Sequence, residues 1–145
     1  MALELSLDDV DATEALGAQL AEVAAAGDAI FLSGELGAGK TSLARGFLRR
    51  FFRDAHLEVP SPSYLICFGY SDEPEAPPPI APPASASAPL LGKTMRPRGR
   101  SRLRGVRVLH VDPYRLAEGK VAALIDLPSS FATDVCVIEW PERLG

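Results

Sequence analysis

With 145 residues, 47% of them hydrophobic, the chain has apolar material for one compact core and too little length for two full-sized domains. No stretch approaches the ~20 apolar residues of a membrane helix, and the acidic start, with Glu4, Asp8 and Asp9, lacks the basic opening of a leader, so a soluble cytosolic protein with no membrane partner is expected. The formal charge of −4 is unevenly spread: residues 71–107 hold seven Lys/Arg against three Asp/Glu, a local +4 that leaves −8 on the rest and argues against a general nucleic-acid-binding body.

In chain order, a short strand is expected at Leu3–Leu7, then an amphipathic helix from Asp8 to Ala26. Ala12, Leu16, Leu20 and Val23 fall at helical spacing, and Gly27 is placed to end it. Ala29–Leu32 reads as a buried parallel strand running into a glycine-rich turn. A second helix starts at Lys40 and turns Leu43, Phe47, Leu48 and Phe51 toward the core. Pro60 and Pro62 oppose a helix around them, and Tyr64–Phe68 reads as a strand. Over residues 71–105 proline and alanine dominate first and then arginines alternate with Gly, Ser and Leu, so a disordered insertion in a single domain is expected. A strand at Val106–Val111, a helix at Arg115–Ile125 and a last buried strand at Val135–Ile138 complete the pattern. Strands alternating with helices predict an α/β fold with a mostly parallel sheet flanked by helices. Cys67 and Cys136 lie in separate apolar runs without CxxC spacing and read as reduced core residues.

Gly34-Glu35-Leu36-Gly37-Ala38-Gly39-Lys40-Thr41 fits G-x-x-x-x-G-K-[ST], between a predicted strand and a predicted helix as that pattern requires. Glycines let successive backbone N–H groups turn toward phosphate oxygens, and the following helix adds its positive N-terminal end. Lys40 is expected to reach the β- and γ-phosphates of a bound nucleotide, and Thr41 to offer its hydroxyl to Mg2+, with Ser42 in the same turn. A hard cation also wants a carboxylate at the carboxyl end of a neighbouring parallel strand. Asp112 and Glu139 both end apolar runs and are the two candidates.

Four motifs together resemble the TsaE (YjeE) family: Ser33 to Thr41, Val59-Pro60-Ser61-Pro62-Ser63-Tyr64, His110-Val111-Asp112-Pro113-Tyr114-Arg115-Leu116, and Ile138-Glu139-Trp140-Pro141-Glu142. The resemblance implies a P-loop NTPase fold and ATP hydrolysis within the machinery that makes threonylcarbamoyladenosine in tRNA. It also implies TsaD-like and TsaB-like partners, with tRNA met indirectly. It makes Ser61 to Ser63 a switch-like segment near the γ-phosphate, Asp112 the magnesium partner, Glu139 the residue that orients or deprotonates the attacking water, and Trp140 a neighbour of the nucleotide or of the partner surface. His110, Tyr114 and Arg115 share a motif without individual roles. Three departures stand out: Ser63 replaces the usual threonine, Pro113 replaces a leucine and removes a backbone donor, and the family continues with further strands where this sequence stops at Gly145.

Two other functions fit a phosphate loop. One is a small-molecule kinase, for which Arg96, Arg98, Arg100, Arg102 and Arg104 are the candidate lid, in a Pro/Gly/Ser setting that opposes a helical lid. The other is a nucleotide-binding interaction module without hydrolysis. Residues 93–107 invite comparison with a basic RNA-binding arm, but composition favours a solvated spacer, and the spacer is the expectation carried forward.

Overall fold

The computed structural model describes residues 4–35, 37–62, 66–73, 93–101, 103–114 and 127–143. Helix α1 spans Val10–Val23, started by Asp9, whose carboxylate accepts the Ala12 N–H at 2.8 Å. Strand β1 is Ala29–Leu32, helix α2 Lys40–Phe51, β2 Cys67–Tyr70 and β3 Lys93–Met95. β4 is Val108–Val111, followed by the short α3 at Leu127–Thr133, β5 at Val135–Glu139 and a 3-10 turn at Pro141–Arg143.

The five strands form one sheet in the order β1-β5-β4-β2-β3. β1, β5 and β4 run parallel, β2 lies antiparallel to β4, and β3 is parallel to β2. The fold class is therefore the expected one, α/β with a mostly parallel sheet. β4 and β5 are its centre, and their Val, Leu, Ile and Cys residues are buried throughout, as a strand covered on both faces requires. Phe47, Leu48, Phe51 and Phe52 of α2 and its end pack over this sheet, with the Phe51 and Phe52 rings 5.0 Å apart. Burial pushes the Cys136 thiol up to about 12, with Asp134 adding to it against Arg107, and Cys67 is raised further by the same desolvation. Both thiols are thus protonated, inert core residues.

Several expectations are corrected. Residues 4–8 form no strand. The buried face of α1 runs through Gly17 and Ala21, and Val23 is 76% exposed. A Cβ on Gly17 would sit 2.1 Å from the Leu43 carbonyl oxygen, and one on Gly46 would sit 2.0 Å from that of Glu14. The two helices meet backbone to backbone through these small residues, and of the residues at the helical spacing Leu20 does pack against the core while Val23 does not. β1 is an edge strand among the described residues and not a buried one, with Phe31 55% exposed. β2 is Cys67–Tyr70, because Ile66 adopts φ 67°, which breaks an extended run; Tyr64 and Leu65 of the expected strand lie outside the described residues. β4 begins at Val108 because the Val106 N–H turns back to the Leu103 carbonyl.

The largest correction concerns residues 71–105. Their last third is folded: β3 pairs with β2, and Ser71 donates its N–H to the Met95 carbonyl at 3.3 Å. Asp72 accepts the Ser101 hydroxyl at 2.9 Å and its N–H at 3.3 Å. Leu103 and Val106 rest against the core. Local hydrogen bonds and the edge of β2 order a sequence whose composition alone could not bury a core. Residues 74–92 and the expected helix at Arg115–Ile125 lie outside the described residues. Among those described, no helix is long and apolar enough to cross a membrane.

Gly46→Ala should destabilise the fold by at least about 1–3 kcal/mol, the range of an overpacked core, visible as a drop of several degrees in a thermal melt. An unaltered melt would mean that α1 and α2 do not approach this closely.

Candidate functional site

The carboxyl ends of β1, β5 and β4 lie side by side, since Leu32 is level with Glu139 and Val111 with Ile138. The glycine-rich turn leaves β1 at this end, Glu139 closes β5, and Asp112 follows β4. They line one cavity of about 310 Å3 with Gly37, Gly39, Lys40, Thr41, Ser42, Ser61, Tyr114 and Trp140. Gly37 (φ 80°) and Gly39 (φ 101°) hold left-handed conformations that a Cβ would strain, and Gly39 starts α2 with no side-chain cap. The first N–H groups of α2 are therefore left toward the cavity without a capping side chain, in contrast to α1.

Lys40 Nζ donates to the Gly34 and Glu35 carbonyl oxygens, each at 2.7 Å, and sits 4.2 Å above the Trp140 ring centroid. The Ala38 N–H closes the turn onto the Glu35 carbonyl at 3.1 Å. Thr41 Oγ1 lies 3.2 Å from both carboxylate oxygens of Glu139. Glu139 is only 2% exposed, and its Oε2 also receives the Nε2–H of the fully buried His110 at 2.7 Å. The other ring nitrogen, His110 Nδ1, is buried without a partner among the described residues. The ring thus spends its one satisfied contact on Glu139, although the opposite nitrogen goes unpaired.

Asp112 is 5% exposed and accepts the Tyr114 N–H at 3.0 Å, while its own N–H goes to the Ile66 carbonyl at 2.8 Å. Burial pushes the Asp112 carboxyl above its ordinary range despite the Tyr114 N–H; the Glu139 charge adds to the rise, and His110 and Lys40 oppose it. The Tyr114 and Trp140 rings stand 4.8 Å apart. Trp140 has φ 54° and Ile66 φ 67°, two strained residues bordering the same site.

Of the residues singled out in the sequence, Gly34, Glu35, Gly37, Ala38, Gly39, Lys40, Thr41, Ser42, Asp112, Glu139 and Trp140 come together here. Leu36, Ser63 and Arg115 lie outside the described residues. Sequence reasoning left His110 without a role. Its signal was the two-residue offset from Asp112, which in a strand puts both side chains on one face.

A family model, threonylcarbamoyl adenosine biosynthesis protein TsaE, matches residues 7–80. A TsaE protein of Mycobacterium leprae is 34% identical over 142 residues, covering 94% of this chain and 70% of that one. One of Streptomyces coelicolor is 34% identical over 128 residues, covering 88% and 66%. The chain belongs to the TsaE family. The crystal structure of YdiB from Bacillus subtilis superposes with a TM-score of 0.57 at 22% identity, over 94% of this chain and 62% of that one, which supports the fold. The chain thus spans about two thirds of the length of these relatives.

The residues that line the cavity have the chemistry to hold an oligophosphate and a hard divalent cation. An uncapped helix start, a glycine turn and a lysine held over it suit an oligophosphate. The Thr41 hydroxyl and the Asp112 carboxylate are hard oxygen donors of the kind that Mg2+ takes alongside phosphates and water.

The raised Asp112 carboxyl gives a pH test on the protein free of nucleotide and metal. Its folded value lies above its unfolded one, so this residue costs no stability below the ordinary carboxylate range, and the cost appears as pH rises through the folded value. Asp112→Asn should therefore melt a few degrees higher than the parent at pH 7, with the gap closing as the pH falls below the carboxylate range. A gap independent of pH would refute the electrostatic origin.

Proposed function

We propose that this TsaE family member binds ATP with Mg2+ and hydrolyses it, as the ATPase component of the cytosolic machinery that makes threonylcarbamoyladenosine in tRNA, acting with TsaD-like and TsaB-like proteins. The observation that carries the reading is Glu139, nearly without solvent and held between the Thr41 hydroxyl and the His110 imidazole beside a phosphate loop. A structural acid has no need of a buried position that leaves a histidine nitrogen unpaired; a group that must stay oriented does.

In this reading the loop from Gly34 to Ser42 cradles the phosphates through backbone N–H groups, with Glu35 and Ala38 closing the turn. Lys40 exchanges its two loop carbonyls for phosphate oxygens. Thr41 and Asp112 give oxygens to the metal, which when bound neutralises charge developing on the phosphates. Glu139 orients the attacking water, and His110 fixes its carboxylate. Ser61 borders the cavity and Ser63 follows it as the switch-like segment. Trp140, stiffened by Tyr114, forms an apolar wall that limits water around Lys40. The kinase alternative loses its lid, because the described arginines of residues 96–104 follow β3 at the far end of the sheet.

Lys40→Ala should abolish hydrolysis and weaken nucleotide binding by roughly 10²-fold or more, since charge-assisted hydrogen bonds to phosphate are each worth about 1.5–3 kcal/mol. Phosphate release with and without the two partner proteins checks this, and unchanged turnover would sink the assignment. Glu139→Gln should keep nucleotide affinity while turnover falls ~10²-fold or more. Parallel losses in both would make Glu139 a structural residue, and tight binding without phosphate release in the parent would favour the non-hydrolysing module.

A further inference from the structure

The stretch 93–107 carries seven Lys/Arg and no Asp/Glu in a chain whose net charge is −4. An unstructured basic tail would spread that charge over solvent. Here the chain instead fixes it in place. The Arg98 N–H is anchored on the Asp54 carboxylate at 3.0 Å, just past the end of α2, and Gly99 lies so close that a Cβ would be 2.2 Å from the Phe52 carbonyl oxygen. Asp72 takes the Ser101 hydroxyl and the N–H groups of Ser101 and Gly105. Burial works to raise the Asp72 carboxyl, but these hydrogen bonds together outweigh it and hold the group below its ordinary range, so it stays charged.

Asp54 and Asp72 thus serve backbone N–H groups and the Ser101 hydroxyl, and neither forms an ion pair with these guanidiniums among the described residues. Arg96, Arg98, Arg100 and Arg104 are all exposed and make no ion pair among the described residues. With Asp72 and Glu73 they line a cavity of about 640 Å3. Four unpaired arginines held beside an acidic body are a binding surface in search of an outside anion. Six of the seven basic residues are Arg rather than Lys. A planar fork gains over an ammonium mainly where two oxygens must be met together, as on a phosphate. Pro97 and Gly99 separate the exposed Arg96, Arg98 and Arg100, so repeated charges stand accessible there, which suits a backbone of repeating phosphates better than an irregular scatter of carboxylates.

The position is separate from the nucleotide cavity. Met95 is level with Tyr70, and Tyr70 with Val108, the first residue of β4, whereas Asp112 and Glu139 lie at the other strand ends. Three strand residues, about 10 Å, and the 12-residue length of α2, about 18 Å, lie between the two places.

We infer that Arg96, Arg98, Arg100 and Arg104, held on a backbone fixed by Asp54 and Asp72, form a docking surface for the phosphate backbone of RNA, distinct from the cavity at the phosphate loop. The test is anisotropy titration of an unmodified tRNA transcript, without nucleotide, from about 50 to about 300 mM KCl, using the full chain and a variant with Arg96, Arg98, Arg100 and Arg104 changed to Gln. The parent should show a slope of log affinity on log salt of about −3, from four phosphate contacts, and the Gln variant should lose most of that slope and bind about 10²-fold or more weakly near 100 mM salt. A second variant with the four changed to Lys should keep the slope, which shows that charge and not misfolding is being read. Phosphate release should be the same in all three proteins. Equal affinity and slope in the parent and Gln variant would overturn the proposal, as would a parent that does not bind at the lowest salt. Polyglutamate competing as well as RNA would overturn it in favour of an acidic protein partner, and a matched fall in phosphate release would overturn the separation of the two sites. Because the titration contains no nucleotide, failure of the ATPase reading and failure of this one are seen independently.

Discussion

The parallel register of β1, β5 and β4 is the constraint on which the site depends. Leu32 opposite Glu139 and Val111 opposite Ile138 bring the phosphate loop, Glu139 and Asp112 to one edge of the sheet from three distant parts of the chain. What holds that register is apolar fit. Val108, Leu109, Val111 and Val135 to Ile138 are all fully buried, and a slip of one residue would exchange the faces of every side chain. The polar groups of the site are therefore positioned by neighbours that carry no chemistry. Glu139 is the meeting point of the two demands, since it ends a wholly buried strand as a carboxylate, and Thr41 and His110 supply the hydrogen bonds that burial would otherwise deny it.

Around this edge the protein accepts costs that a purely structural domain would avoid. Ile66 and Trp140 sit in the left-handed region, His110 leaves a buried nitrogen unpaired, and Asp112 is buried near the Glu139 charge. Their concentration in one place has a physical meaning. Each is tolerated only where surrounding structure over-determines it, and here the surrounding structure is the packed sheet on one side and α2 on the other. The α1 and α2 backbones touch at Gly17 and Gly46, so the helix carrying Lys40 and Thr41 cannot rock without opening that contact. The phosphate loop is pre-set by a rigid mount.

How far the sequence discloses this follows from the range of each interaction. The glycine-rich turn, the start of α2 at Lys40 and the apolar runs of β4 and β5 are local patterns, and they are legible. The parallel pairing that unites Asp112 with Glu139 is legible as an expectation, because strand ends in open α/β sheets gather ligands. What was not legible depends on contacts between distant segments. The Gly17 and Gly46 approach sets how closely α1 meets α2, and it leaves Val23 of the helical spacing exposed. The φ of Ile66 delays β2, and the edge of β2 recruits Lys93–Met95 from a stretch that composition alone marks as unstructured. His110 belongs with these, since only the packing of β4 beside β5 shows that its partner is Glu139.

Helix α2 also joins two chemically opposite ends of the domain. Its N-terminus opens without a cap onto the phosphate loop, where backbone N–H groups attract anions. Its C-terminus bears Arg49 and Arg50 in the last turn and meets the arginine segment through Asp54 and the Phe52 carbonyl. Carbonyl groups at that end favour cations, so basic residues gather there at little electrostatic cost even though the rest of the surface is acidic. The same helix dipole thus supports an anion site at one end and a concentration of cations at the other. Phe47, Leu48 and Phe51, buried between the two, make the connection stiff. A stiff connection gives either end a fixed distance from the other, so a polyanion held on the arginines would meet the domain in one orientation relative to the cavity at the phosphate loop, without entering it.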